Sequence, residues 1–338
     1  MKQLNTIAID LAKNIFQVCV LSPQQKVLDE KRLSRSQLMA FMATQQISIV
    51  AMEACYSSHY WGRTFSDMGH TVRIIPAQHV KPFVRGNKND RNDALAIAEA
   101  SARPYIRCVP IKTIEQQDIQ ALHRIRDKLV ARRTSIINQT RGLLVDYGVF
   151  IQKGIKAFTA EITTLCDPDE TRVSSIMKHQ LTCVFDDFKL LTRRISDIET
   201  ELKRYSQAND YCRHLQTIPG VGVINATALY SSIGNAQQFS KPRELSVWLG
   251  LTPRQYASGE KSFQTGITKR GNPYLRKQLI HGARALVSRI KDKQDKLSRW
   301  IRQLIERRGI QKAIVATASR LARIAWILLH RNEDYRAA

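Results

Sequence analysis

The sequence lacks the residue patterns of a protein held together by zinc or disulfides. No C-x-x-C pair occurs, and the eight histidines form no cluster with ligand spacing. These absences exclude a structural zinc site of the usual kind. Unpaired thiols are typical of a reducing compartment, so we expect a cytoplasmic protein whose cysteines are ordinary buried residues. The cysteines are Cys19, Cys55, Cys108, Cys166, Cys183 and Cys212.

Long apolar runs are also missing. No stretch approaches the roughly 20 apolar residues that a membrane-spanning helix needs. The longest late run, residues 324–329, is flanked by Arg323 and His330 and predicts a core helix. The N-terminus reaches Asp10 and Lys13 without the apolar segment of a signal peptide. We therefore expect no membrane partner.

Acidic residues are scarce beside basic ones. The chain has 29 Asp or Glu against 53 Lys or Arg, a formal charge of +24. The excess is uneven, because residues 241–338 hold 22 basic and 7 acidic residues. A surplus of this size is typical of a surface that binds a polyanion. With 338 residues the chain is long enough for two or three domains, and we expect nucleic acid as its partner.

Four of the few carboxylates stand in three short motifs: "TIAIDLAKN", "IVAMEACYS" and "NKNDRNDALA". Asp10 and Glu53 end apolar stretches that predict buried strands. Burying an unpaired carboxylate costs several kcal/mol unless a cation or hydrogen bonds compensate. Asp90 and Asp93 lie three residues apart where a helix is predicted over residues 93–102, so both side chains can point the same way. Together they predict a site for a pair of divalent metal ions.

Each acid also has a structural alternative. Asp93 alone is typical of a helix N-cap, Asp10 could accept backbone hydrogen bonds at a strand end, and Asp90 could be a solvated loop acid. Their order favours the metal site. A strand with an acid, a hairpin, a second strand with an acid, a helix, a strand at 70–75 and an acid-led helix follow the order of a ribonuclease-H-like fold. We therefore expect an α/β domain over residues 1–112.

Residues 113–208 have the pattern of a helical, coiled-coil region. Apolar residues at helical spacing predict one long helix over 115–148, and a heptad seam predicts another over 188–205. The two helices can pack as an antiparallel hairpin within one chain or against a second protomer, and we favour oligomerisation. The stretch 151–179 is predicted to be a turn and linker.

Residues 209–338 predict a mainly α-helical C-terminal domain. "LQTIPGVGVINATALYSSIG" resembles the helix-hairpin-helix element of DNA-binding proteins, in which Gly220 and Gly222 would let backbone N–H groups approach a phosphate. Packing alone also explains a glycine turn between helices. The stretch 252–271 is rich in Gly, Ser, Thr, Lys and Arg, so we predict a solvated loop or an active-site loop there.

Ser258 in this polar stretch is a candidate nucleophile. It precedes Gly259 and lies near Lys261, whose charge could stabilise an attacking alkoxide or the charge of a phosphorane. Tyr256 is an equally good nucleophile on chemistry alone. Solvent exposure without function also explains either hydroxyl.

Taken together, the motifs cover essentially the whole chain: "IAIDLAK", "MEAC", "NKNDRNDALAIAEA", "IPGVG", "WLGLTPRQYASGEK" and "GITKRGNPYLRKQLIHGARAL". As a set they resemble the DEDD-type transposases of bacterial insertion sequences, the insertion-sequence one-ten family, which includes the Piv-type DNA invertases. The resemblance implies a RuvC-like N-terminal domain whose acidic tetrad is Asp10, Glu53, Asp90 and Asp93. It implies Mg²⁺, as two ions with Mn²⁺ as a substitute, and a catalytic Ser258 that forms a covalent phosphoserine link to DNA.

The resemblance also implies partners. These are double-stranded donor and target DNA, a non-coding bridge RNA in some members, and further copies of the chain in a dimer or tetramer, in which the serine and the tetrad of one site come from different protomers. A bacterial cytoplasmic location at the nucleoid follows. Basic helices over 274–289 and 298–323 would line nucleic-acid grooves. We predict nucleic-acid contacts at Gly220, Gly222, Arg254, Lys261, Lys269, Arg270, Arg276 and Lys277.

Two other functions remain open from the residues. One is a metal-dependent, structure-specific DNA nuclease like a Holliday-junction resolvase, in which the tetrad activates water and Ser258 plays no part. The other is a nucleic-acid-binding protein without catalysis, whose acids are structural.

Overall fold

The structure is a computed structural model that describes residues 4–85, 89–259, 261–290 and 293–337, apart from the side chain of Lys261. The chain divides into two compact units, Met1–Ile114 and Glu115–Ala338. The second unit contains both the predicted helical region and the predicted C-terminal domain. The division into three domains therefore stays a prediction.

The first unit is a five-stranded mixed sheet with helices on both faces. Its strand order is β3-β2-β1-β4-β5, with β1, β2 and β3 antiparallel and β1, β4 and β5 parallel. This sheet confirms the expected α/β class and is consistent with a ribonuclease-H-like domain. The elements in chain order are β1 (Thr6–Asp10), β2 (Ile15–Leu21), β3 (Val27–Ser34), α1 (Arg35–Thr44), β4 (Ile49–Glu53), α2 (Ser58–Asp67), β5 (Thr71–Ile75), α3 (Ala77–Val80), a 3₁₀ turn (Lys81–Phe83) and α4 (Asp90–Ser101).

The two faces of this sheet differ in the size of the side chains that cover them. One face carries large aliphatic residues and packs against α1 and α2. The other carries small residues, including Ala8 and Ala51, and packs against the alanine-rich α4. Because side chains alternate along a strand, Asp10 and Glu53 share the face of Ala8 and Ala51. Helix α4 therefore covers the face that carries both acids.

The second unit is mainly helical, with one two-stranded hairpin. The helix predicted over 115–148 is α5, and the helix with the heptad seam is α7. The elements in chain order are α5 (Ile114–Val145), α6 (Ile155–Leu165), α7 (Ser175–Ala208), α8 (Asp210–Gln216), α9 (Val223–Ile233), α10 (Pro242–Trp248), β6 (Pro253–Ser258), β7 (Lys261–Ile267), α11 (Pro273–Val287), α12 (Lys296–Arg308) and α13 (Ile310–Arg331).

The heptad seam of α7 is buried within its own chain. Leu191 and Ile195 cluster with Leu129 of α5, and Arg126 of α5 donates from Nε to Oε1 of Glu199 of α7 at 2.8 Å. Residue numbers fall along one helix as they rise along the other, so the two helices are antiparallel. The intrachain hairpin therefore accounts for the seam. A coiled coil and oligomerisation stay predictions.

The stretch 151–179 is more ordered than expected. It contains α6, whose Phe158, Ile162 and Leu165 recur at spacings of four and three and are buried against α5 and α7. The prediction of a turn and linker is wrong here, because the apolar stripe of a short helix closes one end of the hairpin.

The cysteines are all free, but they are not all buried. Cys19 and Cys212 are buried, whereas Cys108 and Cys183 are exposed, so the expectation of uniformly buried thiols is wrong. Burial raises the pKa of the Cys212 thiol to about 12. That thiol is therefore a packing group at neutral pH rather than a reactive one.

Helix α13 is the core helix of the second unit. By length and composition it is the one helix among the described residues that could cross a membrane. Its buried residues, including Leu321, Ala322 and Ala325, belong to the largest core cluster, where α10 and α11 pack against it. The core helix predicted around residues 324–329 is therefore present.

Candidate functional site

Asp10 and Glu53 lie at the carboxyl ends of two neighbouring parallel strands. Strands β1 and β4 pair with Ile9 opposite Met52, so the two acids take the next pair of positions. Neighbouring strands lie about 4.8 Å apart, and both side chains belong to the face that α4 covers. Both residues are half-buried. The prediction that each acid ends a buried strand is confirmed.

Helix α4 begins about one turn earlier than expected. Asn89 is its N-cap, because the Asn89 side-chain oxygen accepts the backbone N–H of Asn92 at 2.8 Å. The interpretation of Asp93 as the N-cap is therefore wrong. Asp90 and Asp93 both lie in the first turn, where the positive end of the helix dipole favours negative charge.

Asp93 is half-buried in the first turn of α4, whereas Asp90 is exposed. Ala94 follows Asp90 by four residues, and Ile97 follows Asp93 by four. Both Ala94 and Ile97 are buried against the sheet. Residues four apart share one face of a helix. The two helix acids therefore precede, by one turn, residues that α4 packs against the sheet face of Asp10 and Glu53.

An ion pair shows how far along the sheet the start of α4 lies. The carboxylate of Asp90 is 3.9 Å from the guanidinium of Arg32 on β3. The strand register places Arg32 opposite Gln17, and Gln17 opposite Asp10. The start of α4 therefore lies near the end of the sheet at which β1 ends.

The four acids do not form a complete metal site in this structure. Among the residues that the structure describes, no three His, Cys, Asp or Glu side chains form a group that could hold a metal ion. The donor chemistry nevertheless fits Mg²⁺ or Mn²⁺, because carboxylate oxygens are the hard ligands that these cations take.

Ser258 ends the first strand of an exposed β-hairpin. Strands β6 and β7 are antiparallel, with Ser258 opposite Lys261 and Tyr256 opposite Phe263. Gly259 in the turn has φ 55°, a left-handed value that glycine adopts without strain. Every residue of β6 is exposed, which confirms that this stretch lies outside the core. The stretch is a two-stranded hairpin rather than an irregular loop, and an active-site role for it stays a prediction.

Two glycines hold the base of the hairpin against the flanking helices. Gly250 has φ 67°, and a β-carbon there would overlap the carbonyl oxygen of Arg270. Gly271 has φ 75°, and a β-carbon there would overlap the carbonyl oxygen of Trp248. Arg276, predicted to bind nucleic acid, donates to the Arg270 carbonyl at 2.9 Å. Arg276 therefore supports the base of the hairpin.

The other predicted nucleic-acid residues differ in their surroundings. Lys277 pairs with the carboxylate of Asp127. Gly220 backs onto α11, where an added β-carbon would lie 2.7 Å from the carbonyl oxygen of Gly282. Contacts within the chain therefore account for both Lys277 and Gly220. The side chain of Lys261 lies outside the described residues. Exposed at the surface are Gly222, Arg254, Lys269 and Arg270. A nucleic-acid contact stays a prediction for all of them.

A buried histidine network supports the helix that follows the hairpin, and the sequence analysis did not find it. Nδ1 of His123 is 2.8 Å from Oη of Tyr274, and Nε2 is 2.9 Å from Oγ1 of Thr227. Thr227 donates to the Val223 carbonyl, so it accepts from Nε2–H, and Tyr274 donates to Nδ1. Burial, with the charge of Arg126, lowers the pKa of His123 to about 4. A lone histidine in a helical pattern gives no signal of these partners.

Comparison with known proteins identifies the family of the chain. A family model for DEDD transposases of the IS110 type matches residues 7–149. A second model, described as the transposase IS116/IS110/IS902 family, matches residues 212–299. The first match contains all four acids, and the second contains Ser258.

Similar proteins cover nearly the whole chain. A transposase for insertion sequence element IS1111A from Coxiella burnetii is 46% identical over 99% of this chain and 92% of its own length. A probable family 20 transposase from Pseudomonas aeruginosa is 40% identical over 98% and 99%. The transposase for element IS1328 from Yersinia enterocolitica is 37% identical over 97% of each chain. The resemblance found in the motifs is confirmed, and the chain belongs to the IS110/IS116 family of insertion-sequence transposases.

Proposed function

We propose that this chain cuts and rejoins DNA strands as the transposase of its own insertion sequence, through a covalent phosphoserine link at Ser258. Asp10, Glu53, Asp90 and Asp93 would hold Mg²⁺, with Mn²⁺ as a substitute. One observation carries the proposal: Asp10 and Glu53 end adjacent parallel strands beneath the helix whose first turn bears Asp90 and Asp93. Membership of a transposase family supports the reaction class.

The acids act by holding positive charge at a defined place. One or two Mg²⁺ ions held by these acids would supply positive charge to the attacked phosphoryl group and to the leaving oxygen. Asp10 and Glu53 contribute a rigid half of that site, since each is the last residue of a strand within the sheet. Asp90 would contribute a ligand from the solvent side, since its side chain is 65% exposed.

Ser258 would supply the nucleophile. Its oxygen bonds to phosphorus as the bond between phosphorus and one bridging sugar oxygen breaks. The serine hydroxyl loses its proton, and the sugar oxygen gains one. One phosphoester replaces another, so the bond energy of the cut strand is retained and religation needs no ATP. The family resemblance selects Ser258 over Tyr256.

The partners follow from the same proposal. Donor and target DNA would meet the basic second unit, chiefly through phosphates. The resemblance extends the proposal to a bridge RNA that pairs with both DNAs. It also extends it to a tetramer in which Ser258 of one protomer serves the acids of another. A DNA substrate places the protein in the cytoplasm, at the nucleoid.

The test is a denaturing gel of end-labelled element-end DNA incubated with the full chain and Mg²⁺, followed by peptide mapping of the linked residue. The parent protein is expected to give a covalent protein–DNA adduct that maps to Ser258. Ser258→Ala is expected to lose the adduct but keep DNA binding. Ser262→Ala is the matched control, because Ser262 is an exposed serine on the other strand of the hairpin.

Other outcomes point to other mechanisms. An adduct that maps to Tyr256 would overturn the serine assignment while leaving a recombinase. Mg²⁺-dependent cleavage with no adduct would favour the nuclease, in which the acids activate water. DNA binding with neither cleavage nor adduct would favour a protein whose acids are structural.

A further inference from the structure

Two large aromatic side chains stand on the exposed hairpin without a core beneath them. Tyr256 and Phe263 are opposite each other in the register, and their rings are stacked with centroids 5.3 Å apart and an interplanar angle of 18°. Tyr256 is 49% exposed and Phe263 is 60% exposed. A cross-strand aromatic pair stabilises a hairpin by up to about 1 kcal/mol. The stacking accounts for the ring faces that touch each other. The opposite faces of both rings are open to solvent.

A cavity of about 470 Å³ lies beside the Tyr256 ring. Its lining is Arg254, Gln255, Tyr256, Thr268 and Arg270. None of these five residues is acidic, and two are permanently positive. The Thr268 hydroxyl is buried and has no hydrogen-bond partner within the described part of the chain. The cavity thus offers an aromatic side chain and two guanidinium groups.

A bulge and two hydrogen bonds define the backbone around this cavity. The pairing of β6 with β7 shifts register between Pro253 and Gln255, so that Arg254 lies opposite two residues of β7, Thr265 and Gly266, at a bulge. Bulges redirect side chains at functional edges. On the other wall, the carbonyl oxygens of Arg270 and Thr268 accept bonds from Arg276 and Arg254. The backbone of the cavity is therefore held while both guanidinium side chains remain exposed.

An aromatic face beside arginines matches the two halves of a nucleotide. Arginine binds phosphate through parallel charge-assisted hydrogen bonds, and bases stack on aromatic side chains in proteins that bind single strands. A base inside a duplex is covered on both faces by its neighbours, so only an unpaired base has a face to offer. We propose that this cavity binds one unpaired nucleotide of a DNA strand, with its base on Tyr256 and its phosphate on Arg254 and Arg270.

The position of Ser258 gives this subsite a place in the reaction. Ser258 follows Tyr256 by two residues in β6, so the two side chains share a face of the strand and lie about 7 Å apart along it. A nucleotide stacked on Tyr256 is then at or next to the attacked phosphate. This placement rests on the proposed function. It implies that the strand is unpaired at the cut before Ser258 reaches it.

Photocrosslinking tests the subsite without requiring catalysis. The full-length Ser258→Ala protein is mixed, without Mg²⁺, with a single-stranded oligonucleotide that carries one 5-iododeoxyuridine, and then irradiated. We expect the crosslinked base to map by mass spectrometry to Tyr256 or Phe263. The same label in a fully paired duplex is expected to crosslink at least about tenfold less.

Variants separate the ring from its hydroxyl. Tyr256→Phe keeps the ring and is expected to keep both the crosslink and the affinity for the single strand. Tyr256→Ile keeps a strand-forming residue without the ring and should weaken single-strand binding on the order of tenfold. Arg254→Gln should weaken it while keeping the ring contact. Phe150→Leu, which removes an exposed aromatic elsewhere in the same unit, should change nothing.

Crosslinks that map to the basic helices, or equal crosslinking of single strand and duplex, would overturn the subsite. So would parental affinity in both Tyr256→Ile and Arg254→Gln. A serine adduct without a Tyr256 or Phe263 crosslink would leave the proposed function standing and remove this inference. A crosslink to Tyr256 or Phe263 without any serine adduct would support this inference and remove the proposed covalent mechanism.

Discussion

The two regions that carry the proposed chemistry are built in opposite ways. Asp10 and Glu53 end strands in the middle of a five-stranded sheet, between two packed layers of helices. Ser258 ends a strand whose residues are all exposed, in a hairpin with no core beneath it. The first region holds its acids half-buried on the sheet, and the second projects its serine into solvent.

This difference matches what each group must do. A metal site needs ligands held within about half an ångström, and rigid elements supply that precision better than loops. A nucleophile that must reach a phosphate within a large DNA needs to protrude instead. The hairpin protrudes from a fixed base, since Gly250 and Gly271 let its ends lie directly on the carbonyls of neighbouring segments. Rigidity is thus placed at the base of the hairpin rather than at its tip.

Asp10→Asn tests the buried half of the comparison and should have the largest effect. An amide is a much weaker Mg²⁺ ligand than a carboxylate, and metal stabilisation of the transition state is worth several kcal/mol. We expect strand exchange to fall by roughly a thousandfold or more, with DNA binding retained. Asp29→Asn, on strand β3 of the same sheet, is the control. Near-parental recombination by Asp10→Asn would remove the metal assignment.

Gly271→Ala tests whether the base of the hairpin is rigid. A β-carbon there overlaps the Trp248 carbonyl, and the residue has positive φ. We expect the free energy of unfolding of the second unit to fall by about 2–5 kcal/mol, measured by urea denaturation. Gly266→Ala is the control, because nothing lies within 4 Å of its position. An equal effect of both substitutions would show that the base is adaptable, and the contrast with the sheet would weaken.

The pH dependence of His123 tests the helices that support the hairpin. Its folded-state pKa is about 4 against an ordinary value of 6.5, so between these values the unfolded chain binds the extra proton. The free energy of unfolding should therefore fall as pH drops from 6.5 to 4, by up to about 3 kcal/mol. His123→Gln should flatten this slope, whereas His281→Gln, at an exposed position, should not. If His123→Gln left the pH dependence of the free energy of unfolding unchanged, other titrating groups would be its cause.

Asn89→Ala tests the start of α4 and should have the smallest effect. Loss of the N-cap should lower the free energy of unfolding of the first unit by about 1 kcal/mol, whereas Asn89→Asp should keep it, since both residues cap well. Asp93→Asn should lose recombination without a comparable loss of stability. If Asp93→Ala alone destabilised the helix as a cap does, the start of α4 would lie at Asp93 after all.

Local patterns in the sequence were enough to predict the elements that bear the acids. Apolar strands ended by Asp10 and Glu53, the order of strands and helices, and the long helices α5 and α7 all follow from periodicity. The family resemblance added the site residues that residue chemistry left open, above all Ser258 over Tyr256. The sequence by itself thus determined the α/β class of the first unit, the helical character of the second and the family.

The tertiary structure decided what depends on distant partners. Periodicity shows that the α7 seam must be buried, but only packing shows that α5 covers it. The polar stretch around Ser258 has no apolar alternation to mark it as strands. Gly250 and Gly271 let its two ends lie against carbonyls that are 20 and 23 residues away along the chain. The partners of His123 and the carbonyl beneath Gly220 are equally remote. The spacing of apolar residues along an element determines which of its faces is buried. Only tertiary packing determines which other element covers that face.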